Sequence, residues 1–273
     1  MGCSASMIAV GLAQDLLMVY KESNVVILST EILTTGWYSG NERPKLALNC
    51  LFRMGGAAIL LTNQKQACKW SKYQLSWTSR AQWAFNNRAY KSAFREEDSK
   101  GLTGVTLNKD ILEVASDMIR SQLIALGLFM LPYLEKLKFV TSIIRKKYSK
   151  KSEEIYVPNF KTIIQHFCLP VSGKPVIKEI GKGLKLGEKE MEAALATLHR
   201  FGNQSSSSLW YELAYLEAKE RVRKGERVWM LGMGSGPKCT SVVLECIRPI
   251  VGESIKGPWA GSIDKYPDLA FDS

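Results

Sequence analysis

Leu198-His199-Arg200-Phe201-Gly202-Asn203-Gln204-Ser205-Ser206-Ser207-Ser208-Leu209-Trp210-Tyr211 joins a polar turn to a run of serines and an apolar segment. Each serine hydroxyl can satisfy a backbone N–H left without a partner at a helix start, so a helix is predicted to begin within Ser205–Ser208. Leu209, Leu213, Leu216 and Val222 recur at roughly helical spacing, while Glu212, Glu217, Lys219, Glu220 and Arg221 fall on other faces. One face is expected in the core and the other in solvent. His199 and Asn203 would sit on the turn just before this helix, where a carboxamide can point into a site. A plain turn residue and a packed core histidine fit the same spacing.

Around this stretch lies a chain of 273 residues with 46% apolar content, enough for one large domain or two small ones. A net charge of +11 suits nucleic acid, an anionic membrane surface or phosphorylated ligands. No zinc-finger, RNA-recognition or helix-turn-helix signature accompanies that charge, so no nucleic-acid partner is expected. Cys3, Cys50, Cys68, Cys168, Cys239 and Cys246 are scattered, with no signal peptide, which predicts free thiols in a reducing compartment. No CxxC pair exists and the chain has 2 histidines, so no metal site is expected.

At the front, Met1-Gly2-Cys3-Ser4-Ala5-Ser6 runs into an apolar helical stretch, Met7 to Tyr20. A sulfur near a helix N-terminus is favoured as thiolate, as a reactive cysteine requires. A small residue at a frayed terminus is the plainer reading. Asn24 to Ser29 and Ala57 to Thr62 read as buried strands, which makes the class α/β. Between them, Glu31 to Phe52 reads as a long loop, and Gly55-Gly56 allows close backbone approach. From Gln64 to Arg95, basic residues alternate with Trp70, Tyr73, Trp77, Trp83 and Phe85, as a nucleotide-stacking surface or a solvated face beside a packed one.

The longest helical tract is expected from Leu107 to Lys147, capped by Asn108 and interrupted at Gly127 and Pro132. Its apolar part, Leu123 to Leu134, would rise about 18 Å as helix, short of a hydrocarbon core of about 30 Å, so no spanning segment is expected there. It reads as a buried helix, or an acyl-chain lining, leading to a basic end that faces solvent or a membrane. A polar linker at Ser149–Glu154 precedes an apolar segment, Phe160 to Leu169, and amphipathic helices starting at Val176 and Glu188. Arg227 to Gly234 and Thr240 to Ile247 read as two buried strands joined by a glycine-rich turn, Gly234 to Lys238, that lacks phosphate-loop spacing.

Several phrases taken together resemble the plant-type 3-ketoacyl-CoA synthases, the condensing enzymes of very-long-chain fatty-acid elongation. They are Met1 to Ala5, Ser29-Thr30-Glu31-Ile32, Asn49 to Ala58, Ser71 to Leu75, Leu198 to Tyr211, Gly234-Ser235-Gly236 with Lys238-Cys239, Gly257-Pro258-Trp259, and Ile263-Asp264 with Tyr266-Pro267. The resemblance implies a thiolase-like layered α-β-α-β-α fold of two duplicated halves, here incomplete, with the C-terminal half and the end of the first. It implies residues 1–148 as the end of the first half, carrying an apolar helical insertion at about 107–147, and 149–273 as the C-terminal half. Strands that would pair with the rest of the first half are expected to leave edges and apolar faces bare.

In that chemistry a cysteine takes the acyl group from a long-chain acyl-CoA, while histidine and asparagine hold malonyl-CoA as its enolate forms. By resemblance Cys3 matches the nucleophile and Asn203 the asparagine, with His199 in a supporting place. Acyl-CoA and malonyl-CoA are the implied substrates, with no cofactor and no metal. A homodimer or elongase-complex partners are implied, at the cytosolic face of the endoplasmic reticulum membrane, or in the cytoplasm for a chain without the family's spans. Where the family reads Phe-Cys-x-His-Ala-Gly-Gly, this chain reads Phe167-Cys168-Leu169-Pro170-Val171-Ser172-Gly173. Pro170 offers neither imidazole nor backbone N–H, so condensation is expected to be impaired. The stretch Ser76 to Ala89 replaces a family histidine segment, and His166 does not inherit the catalytic role. A non-catalytic acyl-CoA-binding or synthase-docking protein is the alternative.

Overall fold

The computed structural model describes residues 1–108, 110–148, 156 and 158–266; the linker expected at Ser149–Glu154 and Pro267 lie outside the described residues. A short 3-10 turn, Gly2–Ser4, opens directly into helix α1, Ala5–Val19. Strands β1 (Asn24–Thr30) and β2 (Gly56–Thr62) pair antiparallel, with Asn24 opposite Thr62 and Thr30 opposite Gly56. A second sheet contains β3 (Tyr73–Gln82), β6 (His166–Cys168), β7 (Arg227–Gly234) and β8 (Lys238–Cys246) in the order β3-β8-β7-β6. Only β6 and β7 run parallel in it.

The α1 helix fills the space between the sheets, because Met7, Val10 and Ala13 recur on a face that packs against β1 on one side and β3, β7 and β8 on the other. Beside it lies α8, Ser208–Ala218. Strand alternation sets the two faces of the larger sheet. Val228, Met230, Val242 and Leu244 join the α1–α8 core, while Trp229, Leu231 and Val243 join a second core under α4 (Ile111–Met130) and α6 (Lys174–Gly183). Helix α7, Glu188–Phe201, packs on α6, α8 and β6. The layers β-α-β-α of a thiolase-like arrangement follow. The larger sheet takes β3 from before the expected 148/149 division and β6 to β8 from after it.

Several expectations are corrected by burial. The helix after the serines begins at Ser208, within the expected window, but it is enclosed by α7, the larger sheet and the turn Gly257–Trp259, so Glu212 is 0% exposed and Glu217 is also buried instead of facing solvent. Strand β1 is buried on one face only: Val26 and Leu28 point outward, as does Leu60 on β2. The segment expected as a loop between these strands contains a helix, α2 (Arg43–Leu51), with Pro44 in its first turn. Asn49 of α2 accepts from Tyr38 N at 3.1 Å and donates to Tyr38 O at 2.7 Å, pinning the loop before it. The basic aromatic stretch contains β3 and a short helix, α3 (Asn87–Ser92).

The tract expected from Leu107 to Lys147 is two separate helices that follow a hairpin. Strands β4 (Ala93–Glu97) and β5 (Thr103–Leu107) pair antiparallel, then come α4, whose N-cap position is Asp110 instead of Asn108 and carries no side-chain capping hydrogen bond, and α5, Tyr133–Tyr148. Pro132 breaks the helix, whereas Gly127 sits inside α4 against Leu131 and Phe160. The apolar part is not fully buried: Leu126 and Leu131 are, but Leu128, Phe129 and Leu134 are exposed. Among the described residues one stretch, Gly2–Val19, is long and apolar enough to cross a membrane, with mean hydropathy 1.5 over 18 residues. In the fold one face of it, Met7, Val10 and Ala13, lies in the core between the sheets, while Leu12, Met18 and Val19 are exposed.

Candidate active site

Cys3 lies in the 3-10 turn at the head of α1, and the turn is closed over by the loop joining β7 to β8. A Cβ on Gly234 would fall 2.4 Å from Met1 O, and one on Gly2 would fall 2.5 Å from Ser235 Oγ, so only glycine allows this approach. Asn203 enters from the other direction. Its backbone is stitched to the segment after α2, with Asn203 N donating to Leu51 O and Arg53 N to Asn203 O, both at 2.9 Å. Gly202 makes that possible: its φ is +70°, and a Cβ there would lie 2.7 Å from Arg53 Cγ.

Ser205 joins the two. Its Oγ donates to Cys3 Sγ at 3.3 Å, and its N–H donates to Asn203 Oδ1 at 2.7 Å. Ser205 holds φ at +54°, a costly conformation for a residue with a Cβ. With its oxygen engaged, the group Asn203 can offer a ligand is its amide N–H pair. The remaining serines act as cross-links more than as caps. Ser208 Oγ accepts from Gln204 N at 2.9 Å, while Ser29 Oγ bonds Ser206 Oγ at 2.8 Å and Ser207 Oγ donates to Ser29 O at 3.2 Å, tying the 3-10 turn Ser205–Ser207 ahead of α8 to β1. Ser6 donates to Ser206 O, tying the same turn to α1 as well.

The electrostatics of the thiol differ from expectation. Burial pushes the Cys3 thiol up, the hydrogen bond from Ser205 pulls it down, and the Glu31 carboxylate pushes it up again, with a raised net result. The helix start does not offset desolvation here. Glu31 is close because it accepts from Ser206 N at 3.3 Å.

Pro170 follows β6 at the end of the sheet where Gly234 ends the parallel strand β7. It is buried, and a Cβ at nearby Gly173 would lie 3.9 Å from Leu51, whose carbonyl holds Asn203. Below it, Glu212 Oε2 accepts from Leu169 N at 2.8 Å, while Oε1 has no partner. Burial raises the Glu212 carboxyl well above the usual range. His199 stands in the last turn of α7, not on the turn after it, and its Nδ1 bonds Tyr266 OH at 3.0 Å. His166 pairs with Glu226 at 2.8 Å beside a cavity of about 400 Å³. Cys3 and Asn203 are thus brought together, and His199 belongs to the neighbouring aromatic cluster. Sequence reading missed Ser205 and Glu212; the serine run next to Asn203 was the one signal for the first, and none existed for the second.

Residues 1–148 match the model of the FAE1/Type III polyketide synthase-like protein, and residues 161–246 match the 3-Oxoacyl-[acyl-carrier-protein (ACP)] synthase III C terminal. The chain belongs to the FAE1/type III polyketide synthase-like family. Its relatives in that family include 3-ketoacyl-CoA synthase 6 of Arabidopsis thaliana, 45% identical over 98% of this chain and 54% of that protein. 3-Ketoacyl-CoA synthase 4 of the same plant is 44% identical over 98% of this chain and 52% of that protein. The chain therefore spans about half the length of the curated relatives it matches. The fold agrees with the family. The type III polyketide synthase domain of Steely1 from Dictyostelium superposes with TM-score 0.63 at 14% identity, covering 90% of this chain and 60% of that one. 1,3,6,8-Tetrahydroxynaphthalene synthase from Streptomyces coelicolor A3(2) gives TM-score 0.62 at 17% identity, with coverages of 91% and 61%.

Proposed function

We propose that this chain handles a long-chain acyl thioester at Cys3 in the manner of a 3-ketoacyl-CoA synthase, and that its condensing step is crippled by Pro170. The observation that carries the reading is the hydrogen-bonded path Cys3–Ser205–Asn203, which unites residues 200 positions apart in the chain. In the first half-reaction the Cys3 sulfur attacks the acyl-CoA carbonyl; the new C–S bond replaces the old one, and coenzyme A leaves as a thiol carrying the proton. Asn203 would then hold the malonyl thioester carbonyl of the second substrate through its amide N–H groups. No imidazole shares that duty, and losing one such donor costs ~100–1000-fold in rate. The same loss leaves the thiol without a neighbouring imidazolium, in keeping with its raised protonation range. The work is assigned to the cytosolic face of the endoplasmic reticulum membrane, with malonyl-CoA and acyl-CoA as substrates.

Incubation with a radiolabelled long-chain acyl-CoA tests this. Hydroxylamine-sensitive label on Cys3 that disappears in Cys3→Ser supports the reading; equal label in Cys3→Ser removes it. Saturable, non-covalent acyl-CoA binding without any label selects the non-catalytic alternative, which the raised thiol favours.

A further inference from the structure

The exposed apolar surface of this molecule falls into patches of different character. One patch comprises Val26, Leu28 and Leu60 on the outward face of the β1–β2 sheet. It carries no interleaved basic residues on its strands, as β1 reads Asn-Val-Val-Ile-Leu-Ser-Thr and β2 Gly-Ala-Ala-Ile-Leu-Leu-Thr. The other begins at Leu128 and Phe129 on the last turn of α4, crosses Pro132 and continues along α5. There Tyr133, Leu137, Val140 and Ile144 recur at four- and three-residue steps, a single helix face, with Leu134 beside them at 70% exposure. Helix α5 turns this apolar face outward.

Charge decides what covers it. Basic residues dominate the sequence of α5: Lys136, Lys138 and Arg145 are interleaved with the apolar stripe and Lys146-Lys147 precede its last residue, against Glu135 alone. Lys138 is paired with Glu135 yet keeps 61% of its side chain in solvent. An apolar stripe bordered by long cationic side chains, with aromatic residues at its start, is the pattern of a helix lying in a bilayer interface. Its stripe enters the acyl boundary while the lysine and arginine stems extend to anionic headgroups. A protein partner would more readily take the neutral β1–β2 patch.

We propose that α5, with the end of α4, is a surface that docks in the plane of an anionic lipid bilayer. This assignment stands apart from the reading of Cys3, since no residue of that site takes part.

The test is co-sedimentation of the full chain with vesicles of phosphatidylcholine alone or mixed with phosphatidylserine. Binding is expected to the mixed vesicles, to weaken with salt, and to fall about tenfold or more in Leu134→Glu and in Leu137→Glu. Lys136→Glu with Arg145→Glu, which alters charge and leaves the stripe, should reduce it too. Leu28→Glu, on the other patch, should leave it unchanged. Circular dichroism of each variant reports folding, and the charge variant supplies a second reading if a stripe variant fails to fold. Equal binding to both vesicle types, or binding lost in Leu28→Glu and kept in Leu134→Glu, overturns the proposal. So does self-association that Leu134→Glu abolishes in a protein that ignores vesicles.

Discussion

Ser205 Oγ donates a hydrogen bond to Cys3 Sγ across 3.3 Å, from a backbone held at a φ of +54°. That bond lowers the protonation range of a thiol that burial raises. In Ser205→Ala the thiol should rise further, because the donor that favours the thiolate is gone. Iodoacetamide modification of Cys3, followed by peptide mass spectrometry, should slow severalfold at neutral pH, with its pH profile moved to higher pH. Ser205→Gly should do the same while relieving the backbone, stabilising the fold by about 1 kcal/mol. An unchanged Cys3 profile in both variants would deny Ser205 this role.

Pro170→His returns an imidazole to the segment leaving β6. A nearby imidazolium favours the thiolate, so Cys3 modification at neutral pH is expected to accelerate by about tenfold or more. Malonyl-CoA decarboxylation, read as released CO2, should rise in parallel. Folded protein showing neither change would mean that the proline is not the main defect.

Glu212 gives a pH signature in stability. Its carboxyl is raised by burial, so the proton it keeps in the folded state is lost to solvent more readily on unfolding. Its contribution is fully present below the usual glutamate range and is lost as pH rises through the raised folded value. Glu212→Gln keeps an acceptor for Leu169 N and carries no charge at any pH. Urea unfolding should find it close to the wild type at acid pH and more stable at pH 8. Glu212→Ala, leaving the Leu169 N–H buried without a partner, should cost about 1–3 kcal/mol. A wild type and Glu212→Gln with parallel stability across that range would contradict the assignment.

Trp259 fastens the C-terminal segment to the central helices. It is fully buried, donates from Nε1 to Tyr211 O at 2.8 Å, and meets Phe201, Tyr215 and Tyr266 edge to face. Trp259→Ala should lower stability by about 3–5 kcal/mol in chemical denaturation. A loss under 1 kcal/mol would show that the segment is not integral to the core.

The parts legible in the sequence were those set by local pattern. The β7–β8 hairpin, the helix beginning at Ser208 and the first two strands follow from periodicity, β-branching and turn residues lying close together in the chain. The pairing of Cys3 with Asn203 was reached through long phrases shared with a family, because nothing local relates residues so far apart. What stayed hidden depends on enclosure. Glu212 looks like a solvent-facing acid until α7 and the larger sheet cover its helix, and Cys3 looks activated by a helix start until burial opposes it. Likewise Asn108 reads as a cap on paper, but its side-chain amide donates to Lys91 O of α3 at 2.6 Å and the helix starts two residues later, at the Asp110 N-cap position.

The sulfur of Cys3 rides on a helix clamped by both sheets, with Met7, Val10 and Ala13 gripped on either side. Its address is therefore inherited from the whole interior and not from any loop. Amide protons of α1 should exchange with solvent only when the entire molecule opens, while those of α5 exchange far sooner. Chemistry at this cysteine and the integrity of the protein are one property, so a lesion that loosens the middle of the fold silences the thiol without touching it.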